Sequence, residues 1–422
     1  MFDNSLHSKL LLLAGLACLA INIAGAQTST VPALTVTQLT PTNDDEGSFG
    51  PPIGFGAVVG ISGRTAVVGI PLYFLPDPTE TFALEEGRVG VYTQGSDGTW
   101  TRTASVIPAD RQPNEYEFGG ALALENNILI VGSVAAVRIF VNEGGTWTQT
   151  ATLPEAVAPL VPHGETYSNI AFDGHYFAFV GNAPTSAGGS GSTAPAYLLY
   201  IYSVDARGQP KLLDTLSPSN LAPGGMALAN GILAVKGLDS SGNGLVYVYS
   251  ANSATPTVPQ VLSSGEPTPD STFGASIAIW NRRILVGAPG AYGQPNDNSG
   301  GYFSGAAFVF APRAHGWVQT QKIVPNNSAA FGTAVVVTRA GALISAPYSD
   351  DNYADILGNT QIYAWQGDQL VFAQNMPGNI PGTSMALSFD AAIIGTDVDV
   401  SQYGYYEFAD IVTVAPGGSK SP

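Results

Sequence analysis

The sequence predicts an all-β fold built from repeated four-stranded units, and three observations support this prediction. The 422 residues include 50 glycines and 30 prolines, yet 45% of them are hydrophobic. Short apolar runs alternate with turns throughout the chain. The order of runs and turns recurs about every 50 residues, a period typical of closed β-repeat architectures rather than of disordered segments or helical solenoids.

The clearest unit begins at residue 273. Its first two apolar runs, 273–279 and 284–289, flank a polar turn at 281–283 and so predict a β-hairpin. A third run covers 305–310, and after another turn a fourth extends from Trp317 to Ile323. The unit is therefore predicted to be a four-stranded antiparallel meander.

Seven such units are predicted, because the second strand of each carries a small marker residue. The markers are Gly69, Gly132, Gly181, Gly237, Gly287, Ser345 and Gly395. A period of four strands in about 50 residues is that of a propeller blade. Trp100, Trp147 and Trp317 are predicted to open fourth strands, where the outer part of a blade has room for large rings.

The predicted ring closes without a covalent bond. The last unit supplies only three apolar runs, at 385–388, 392–395 and 407–414. Residues 34–41 resemble the fourth-strand segment 148–154. We therefore expect the N-terminal strand to complete the last blade, which would remove an exposed sheet edge. The predicted fold is an all-β, seven-bladed β-propeller of four-stranded antiparallel blades.

Three segment pairs carry a resemblance to a known family. Phe273-Gly274 followed by Gly287-Ala288-Pro289 resembles the signature of FG-GAP repeats, which form the integrin alpha-subunit propeller and occur in many exported bacterial proteins. Near matches are Phe55-Gly56 with Gly69-Ile70-Pro71, and Phe331-Gly332 with Ser345-Ala346-Pro347. The resemblance covers essentially the whole of the predicted propeller domain, 27–416, and the glycine-rich residues 417–422 are predicted to form a flexible tail. It implies no single function, because propellers host unrelated activities.

The N-terminus is predicted to be a signal peptide of residues 1–26. Lys9 precedes an apolar run, 10–23, and Ala24-Gly25-Ala26 then provides the small residues of a cleavage site near Ala26. We expect export to the periplasm, the cell surface or the medium, with no membrane span in the mature chain. The alternative, a lipoprotein modified at Cys18, is disfavoured because Gly15 stands where such signals usually have leucine.

Charge and histidine content exclude several kinds of function. The formal net charge is −17 and Lys plus Arg number only 15, so nucleic acid is not an expected partner. After cleavage the histidines are His163, His175 and His315, none with a partner at metal-ligand spacing. We expect a monomer, and no catalytic residue or metal ligand is assigned.

No cofactor is predicted, although calcium stays open. The resemblance implies calcium in loops between first and second strands, but those turns, such as 61–64 and 125–127, are too short and too poor in carboxylates. Asp350, Asp351 and Asp355 lie within six positions in another loop. They are either a site for a hard cation or a solvated acidic loop.

Long connections, including a loop predicted at 398–406, are expected to gather on one face, because those after second and fourth strands emerge on the same side of a meander. Tyrosines and acidic residues in them are predicted to form a binding surface or, alternatively, to pack beneath their own loops. The predicted binding residues are Tyr73, Tyr292, Tyr302, Tyr348, Asp350, Asp351, Tyr353, Asp355, Tyr403 and Tyr405.

The predicted function is non-enzymatic binding or scaffolding, with a protein or glycan as ligand. The alternative is a propeller-fold glycan-degrading enzyme with a carboxylate pair at the axial mouth, although no pair stands out among the 32 acidic residues. A third possibility is an assembly module within a larger surface complex.

Overall fold

The computed structural model of the chain describes residues 34–41, 54–71, 74–75, 84–85, 87–111, 115, 117–153, 170–182, 197–218, 220–250, 259–266, 272–291, 304–325, 329–348, 357–388, 391–400 and 404–414. Every regular element in this part of the chain is a β-strand. The predicted signal peptide (1–26) and tail (417–422) lie outside the described residues, so they stay predictions.

Thirty strands alternate with turns, as the apolar runs of the sequence predict. The first fifteen are β1 (Leu34–Leu39), β2 (Val59–Ser62), β3 (Thr65–Ile70), β4 (Phe74–Leu75), β5 (Leu84–Glu85), β6 (Arg88–Gln94), β7 (Trp100–Val106), β8 (Ala121–Glu125), β9 (Ile128–Gly132), β10 (Val137–Glu143), β11 (Thr146–Thr152), β12 (Ile170–Phe172), β13 (Tyr176–Asn182), β14 (Tyr197–Val204) and β15 (Pro210–Leu216).

The second half continues the same pattern. Its strands are β16 (Leu221–Ala229), β17 (Ile232–Leu238), β18 (Gly244–Ser250), β19 (Gln260–Leu262), β20 (Ser276–Trp280), β21 (Arg283–Ala288), β22 (Ala306–Arg313), β23 (Gly316–Ile323), β24 (Val335–Val337), β25 (Gly341–Tyr348), β26 (Leu357–Gln366), β27 (Gln369–Asn375), β28 (Ser384–Leu387), β29 (Ala391–Val400) and β30 (Gly404–Val414).

These strands form the seven predicted blades. In order, the antiparallel blades are β2-β3-β6-β7, β8-β9-β10-β11, β12-β13-β14-β15, β16-β17-β18-β19, β20-β21-β22-β23, β24-β25-β26-β27 and β28-β29-β30-β1, and β4 and β5 pair as a small extra ribbon. All seven markers lie on second strands, so the blade count read from the sequence is confirmed. The third, fourth and seventh units, which lack a clear Phe-Gly and Gly-Ala-Pro signature in the sequence, are also complete blades.

The predicted closure is confirmed in register. The N-terminal strand β1 pairs antiparallel with β30, with Thr35 opposite Thr413 and Thr37 opposite Ile411. The seventh blade thus takes three strands from the end of the chain and its outer strand from the start. Since the two ends are joined through this sheet, opening the ring requires breaking a full row of strand hydrogen bonds.

The hydrophobic core consists of seven clusters, each between two neighbouring blades. Successive side chains of a strand point to opposite faces, so an internal strand of a blade contributes to two clusters. Ile393 of β29, for example, packs toward the first blade with Val68, whereas its neighbour Ile394 packs toward the sixth blade with Ile362. Stability is therefore distributed around the ring, as expected for a chain that cannot rely on disulfides.

The Phe-Gly and Gly positions of the repeat meet between blades. Phe55, Phe118, Phe273 and Phe331 are fully buried in the turns that precede first strands, and the glycine after each has a φ of 90° to 96°. A Cβ on the marker Gly287 would lie 2.0 Å from the carbonyl oxygen of Gly332 in the next blade, and one on Gly395 would lie 2.0 Å from that of Gly56. Close backbone contact between blades therefore explains why the signature needs glycine at both places.

The sequence analysis was wrong about one connection. Residues 398–406 were expected to form a loop, but β29 extends to Val400 and β30 begins at Gly404, so only 401–403 connect them. Val398 pairs with Tyr406, and Asp399 with Tyr405. The valines and tyrosines favour extended backbone, so the segment continues the sheet as a hairpin beyond the ring.

Candidate functional site

The connections are distributed unevenly between the two faces of the ring. One face carries the turns after first and third strands, and several of these, such as 63–64, 126–127 and 281–282, are two residues long. The opposite face, here called the loop-rich face, carries the connections 71–87, 107–120, 153–169, 183–196 and 289–305. One long connection, 251–259, lies on the short-turn face. The predicted difference in the length of connections between the two faces is thus largely confirmed.

Two of the ten predicted binding residues lie in described strands. Tyr348 is half-buried at the end of β25, at the loop-rich face, and its carbonyl oxygen accepts a hydrogen bond from Ala329 at 3.0 Å. Tyr405 lies on β30. The others lie outside the described residues, so whether they form one surface stays a prediction: Tyr73, Tyr292, Tyr302, Asp350, Asp351, Tyr353, Asp355 and Tyr403.

The turns in which the family resemblance implies calcium are tight. Asn126, Asn230 and Asn281 adopt positive φ there, as two-residue hairpin turns require. In the part of the chain that the structure describes, no three His, Cys, Asp or Glu side chains are grouped as metal ligands. The acidic segment 350–355 lies outside the described residues, so the cation site there stays a prediction.

A carboxylate pair lies where the hairpin β29–β30 leaves the ring on the loop-rich face. Asp397 of β29 and Glu407 of β30 are directly opposite in register. The backbone N–H of Gly54, in the first blade, donates to Glu407 Oε1 at 2.9 Å. The backbone N–H of Asp397 donates at 3.0 Å to the hydroxyl of Thr383, which lines the axial channel. The pair therefore sits at the junction of the seventh and first blades, beside the axial mouth.

Both carboxyl groups have raised pKa values. Burial raises the pKa of Asp397 to about 6. Burial also raises the pKa of Glu407 to about 7; the nearby Asp397 adds to this rise, while the backbone N–H groups of Gly54 and Phe55 oppose it. Opposed cross-strand residues have Cβ atoms about 4.5–5.5 Å apart, so the two groups are close enough for one to hold a proton that the other lacks.

Sequence analysis missed this pair although a signal was present. Ala391 and Ile393 on β29, and Ala409 and Ile411 on β30, all belong to the apolar cluster between the seventh and first blades. Asp397 and Glu407 continue those two alternating rows with acidic side chains. An acidic residue that continues the alternating apolar positions of a strand is predicted to have a desolvated carboxylate. Only the pairing of β29 with β30 shows that the two acidic residues are neighbours.

A second buried polar group holds a long connection in place. Arg138 of β10 is fully buried, and its guanidinium donates to Asp110 Oδ1 at 2.6 Å and to Glu115 Oε2 at 2.8 Å. Ser133 also donates to Glu115. Burial by itself would raise the pKa of Asp110, but hydrogen bonds from Thr152, Gln149 and Arg138 lower it to about 2. Both acids belong to the connection 107–120, so Arg138 ties that stretch of the loop-rich face to the second blade.

The first strands of all seven blades surround an axial channel with a volume of about 370 Å³. Each strand contributes several residues to the lining, both large and small. One small or short apolar residue from each strand belongs to what we call the small-residue ring: Gly60, Ala123, Ala171, Ala227, Ala278, Val336 and Ala386. Hydroxyl side chains line the loop-rich end, where the first strands begin. Glu125, near the short-turn end, is the single ionisable residue among the described residues of the lining.

Comparison with known proteins shows the fold. No protein-family model and no curated protein matches the chain. Many solved structures match it, among them a chain of the "Crystal Structure of Mitotic Checkpoint Complex". That chain is 13% identical with a TM-score of 0.53, and the match covers 93% of this chain and 94% of that one. Similarity at this level of identity supports the seven-bladed propeller and carries no statement about function.

The described residues contain no helix that is long and apolar enough to cross a bilayer.

Proposed function

We propose that this chain is an exported, non-enzymatic binding or scaffolding propeller of the FG-GAP type that recognises a protein or a glycan through its loop-rich face. The observation that carries the proposal is the uneven distribution of connections on a ring with seven inter-blade cores. Recognition residues are usually found on variable loops that a rigid scaffold positions. A propeller fold is compatible with such a role.

Two structural features support recognition at this face. Arg138 fixes the connection 107–120 through buried charge-assisted hydrogen bonds, which reduces the entropy that this connection would lose on binding. The hairpin β29–β30 extends beyond the paired core of its blade, Tyr405 is a residue of β30, and Tyr403 precedes it in the sequence. Tyrosine offers a large contact area at low entropic cost, which suits either a protein or a glycan.

We expect alanine substitution on the loop-rich face to weaken ligand binding by at least tenfold. The variants are Tyr405→Ala and the combined Asp350→Ala/Asp351→Ala/Tyr353→Ala, measured on a glycan array and a surface-protein panel with and without calcium. Central aromatic contacts usually dominate binding energy, which sets this magnitude. The matched control is Thr101→Ala, on the exposed fourth strand of the first blade, which is expected to bind like the wild type.

Unchanged binding in both variants would contradict the assignment of this face. If calcium raises neither the melting temperature nor the affinity, the segment 350–355 is a solvated acidic loop rather than a cation site.

The Asp397–Glu407 pair supports a second candidate function, hydrolysis of a glycan. Retaining glycosidases place two carboxyl groups about 5–5.5 Å apart, and one of the two is protonated at working pH. Directly opposed cross-strand residues are compatible with that distance, and the raised pKa of Glu407 is compatible with that protonation. If the chain is such an enzyme, Glu407→Gln and Asp397→Asn should each lower hydrolysis of the glycan that it binds by at least 100-fold. Absence of reducing-end release by the wild type would leave recognition as the function of the face.

A further inference from the structure

We propose that the short-turn face carries a second binding surface, on the fifth and sixth blades, for an anionic polysaccharide that bears carboxylate or sulfate groups. This surface is called here the basic sector and consists of Trp280, Arg282, Arg313 and Arg339. The basic sector is independent of the proposed recognition of a protein or glycan at the loop-rich face, because the two surfaces lie at opposite ends of the blades.

The exposed basic residues of this acidic protein are gathered on one face. The formal net charge is −17, and the connections of the loop-rich face are rich in acidic residues, with four in 71–87 and three in 349–356. In the part of the chain that the structure describes, every exposed Lys or Arg lies in or beside a turn of the short-turn face: Arg64, Arg207, Lys211, Arg282, Arg313 and Arg339. The short-turn face is therefore the one that an anionic ligand can approach.

The acidic residues of the opposite face do not cancel these charges. A second strand such as β21, with six residues, spans roughly 20 Å at about 3.3 Å per residue. The Debye length at physiological ionic strength is about 8 Å. Because the two faces are separated by roughly two Debye lengths, the acidic loops have little effect on a ligand at the basic sector.

Positive charge is concentrated on two adjacent blades. Arg282 and Arg339 lie in the turns that follow β20 and β24, and these two first strands are neighbours in the ring. Arg313 lies beside the outer turn of the fifth blade. Among the described residues none of the three forms an ion pair, and the acidic residue of the neighbouring turn, Asp368, is paired with Arg283. The other described acidic residues in or beside the turns of this face belong to the first three blades: Asp97, Glu125, Glu143, Asp173 and Asp205.

Arg282 occupies a turn position that favours glycine. Its φ is 60°, and that of the preceding Asn281 is 43°. The corresponding turn of the fourth blade is Asn230-Gly231, with φ values of 52° and 72°, and Asn-Gly is the pair that such two-residue hairpin turns prefer. An arginine at this position therefore has a conformational cost that glycine would avoid. A bound anion would supply the compensating contact that Arg282 does not find among the described acidic residues.

The chemistry of the basic sector fits a charged sugar chain. A guanidinium group can donate two parallel hydrogen bonds to one carboxylate, and a sulfate offers it the same pair of acceptors. Trp280 ends β20 and is half-buried against the apolar cluster between the fifth and sixth blades. Its ring therefore lies between the turns of Arg282 and Arg339, where it can contact the apolar face of a sugar.

Other anionic partners fit this surface less well. The large apolar side chains that are exposed in the described chain lie on outer strands or directly after one, so these turns offer nothing to insert into a lipid bilayer. A nucleic acid carries phosphates at a density that calls for more basic contacts than three arginines provide. A polysaccharide with one charge per sugar matches the small number of guanidinium groups.

The test is calorimetric titration of the full mature chain with two anionic probes, hexagalacturonate and sulfated maltohexaose. We expect at least one of them to bind, with affinity at least about tenfold weaker when NaCl is raised from about 50 to about 500 mM. If hexagalacturonate is the probe that binds, its methyl ester, which is uncharged, should bind at least about tenfold more weakly. Unsulfated maltohexaose is the corresponding control for the sulfated probe.

The deciding variant is Arg282→Gly/Arg339→Gln. It should weaken binding by at least about tenfold without lowering the melting temperature, because glycine suits the turn after Asn281. The matched control is Arg207→Gln/Lys211→Gln, which removes two exposed positive charges from the third blade of the same face. We expect the control to keep its affinity within about threefold.

Several results would overturn the inference. They are no binding of either anionic probe, equal binding of the uncharged controls, or tighter binding to phosphatidylglycerol vesicles than to both oligosaccharides. An equal loss of affinity in the two double variants would show an effect of net charge rather than a site on the fifth and sixth blades. If Arg282→Gly/Arg339→Gln does not fold, Arg339→Gln alone decides, and unchanged affinity there counts against the site. Tyr405→Ala on the loop-rich face should leave these titrations unchanged, which separates their outcome from that of the proposed recognition function.

Discussion

Replacing Arg138 with methionine is expected to lower the free energy of unfolding by about 3–5 kcal/mol at pH 7. The guanidinium is fully buried and donates to both Asp110 and Glu115. Methionine preserves much of the volume but removes the guanidinium that pairs with the buried Glu115 carboxylate. Removing one member of a buried ion pair costs more than the pair itself contributes, because the remaining charge is uncompensated.

Chemical denaturation at pH 7 and pH 5 would measure this effect. The loss should be smaller at pH 5, because a buried carboxyl group that has lost its guanidinium partner can more readily take up a proton there. Arg207→Met is the matched control: Arg207 lies in an exposed turn, and we expect a change within about 0.5 kcal/mol.

The double variant Arg138→Met/Glu115→Leu tests the cause. It should recover part of the stability that Arg138→Met loses, since no buried charge then remains. If the double variant is less stable than the wild type by the full sum of the two single-variant losses, the ion pair is not the source of the effect.

The second large effect concerns Asp410, which makes the closing blade sensitive to pH. Asp410 lies on β30 opposite Gln38 of β1 and is 4% exposed, and burial raises its pKa to about 6. In the unfolded chain the group ionises near its ordinary value of 3.8. The folded state therefore holds the proton more tightly, and stability falls as the pH rises from about 4 to about 7.

The Asp410→Asn variant should be more stable than the wild type at pH 8 by roughly 3 kcal/mol, since each pKa unit corresponds to about 1.4 kcal/mol. At pH 4 the two should be nearly equal. Asp397 and Glu407, whose pKa values are also raised, should add to the alkaline loss in the wild type. Denaturation midpoints across this pH range would provide the measurement, and a wild type that is most stable at pH 8 would contradict the assignment.

Below pH 4 the opposite trend is expected. Hydrogen bonds from Thr99 and Asn243 lower the pKa values of Asp97 and Asp239, so protonation of these exposed groups removes stabilising contacts. The stability optimum should thus lie near pH 4–5.

The sequence by itself determined the architecture. Each blade is a local meander, so all the signals that predict it lie within about 50 residues. These signals are the apolar alternation, the two-residue turns and the small marker residue of the second strand. Even the closure could be predicted, because the last unit lacks a fourth strand and the segment before the first unit has the pattern of one. The glycines of the Phe-Gly and Gly positions were readable too, although their reason, contact between successive blades at Gly287 and Gly332, is visible only in the structure.

Only the tertiary structure decided which polar groups share an environment. Asp397 and Glu407 become neighbours through the register of a hairpin that was expected to be a loop, and Arg138 meets Glu115 across a connection between blades. The axial channel likewise requires one residue from each of seven distant strands. The physical reason is that desolvation and charge pairing depend on atoms a few ångströms away in space. The identity of an acidic or basic residue in the sequence does not specify which atoms those are.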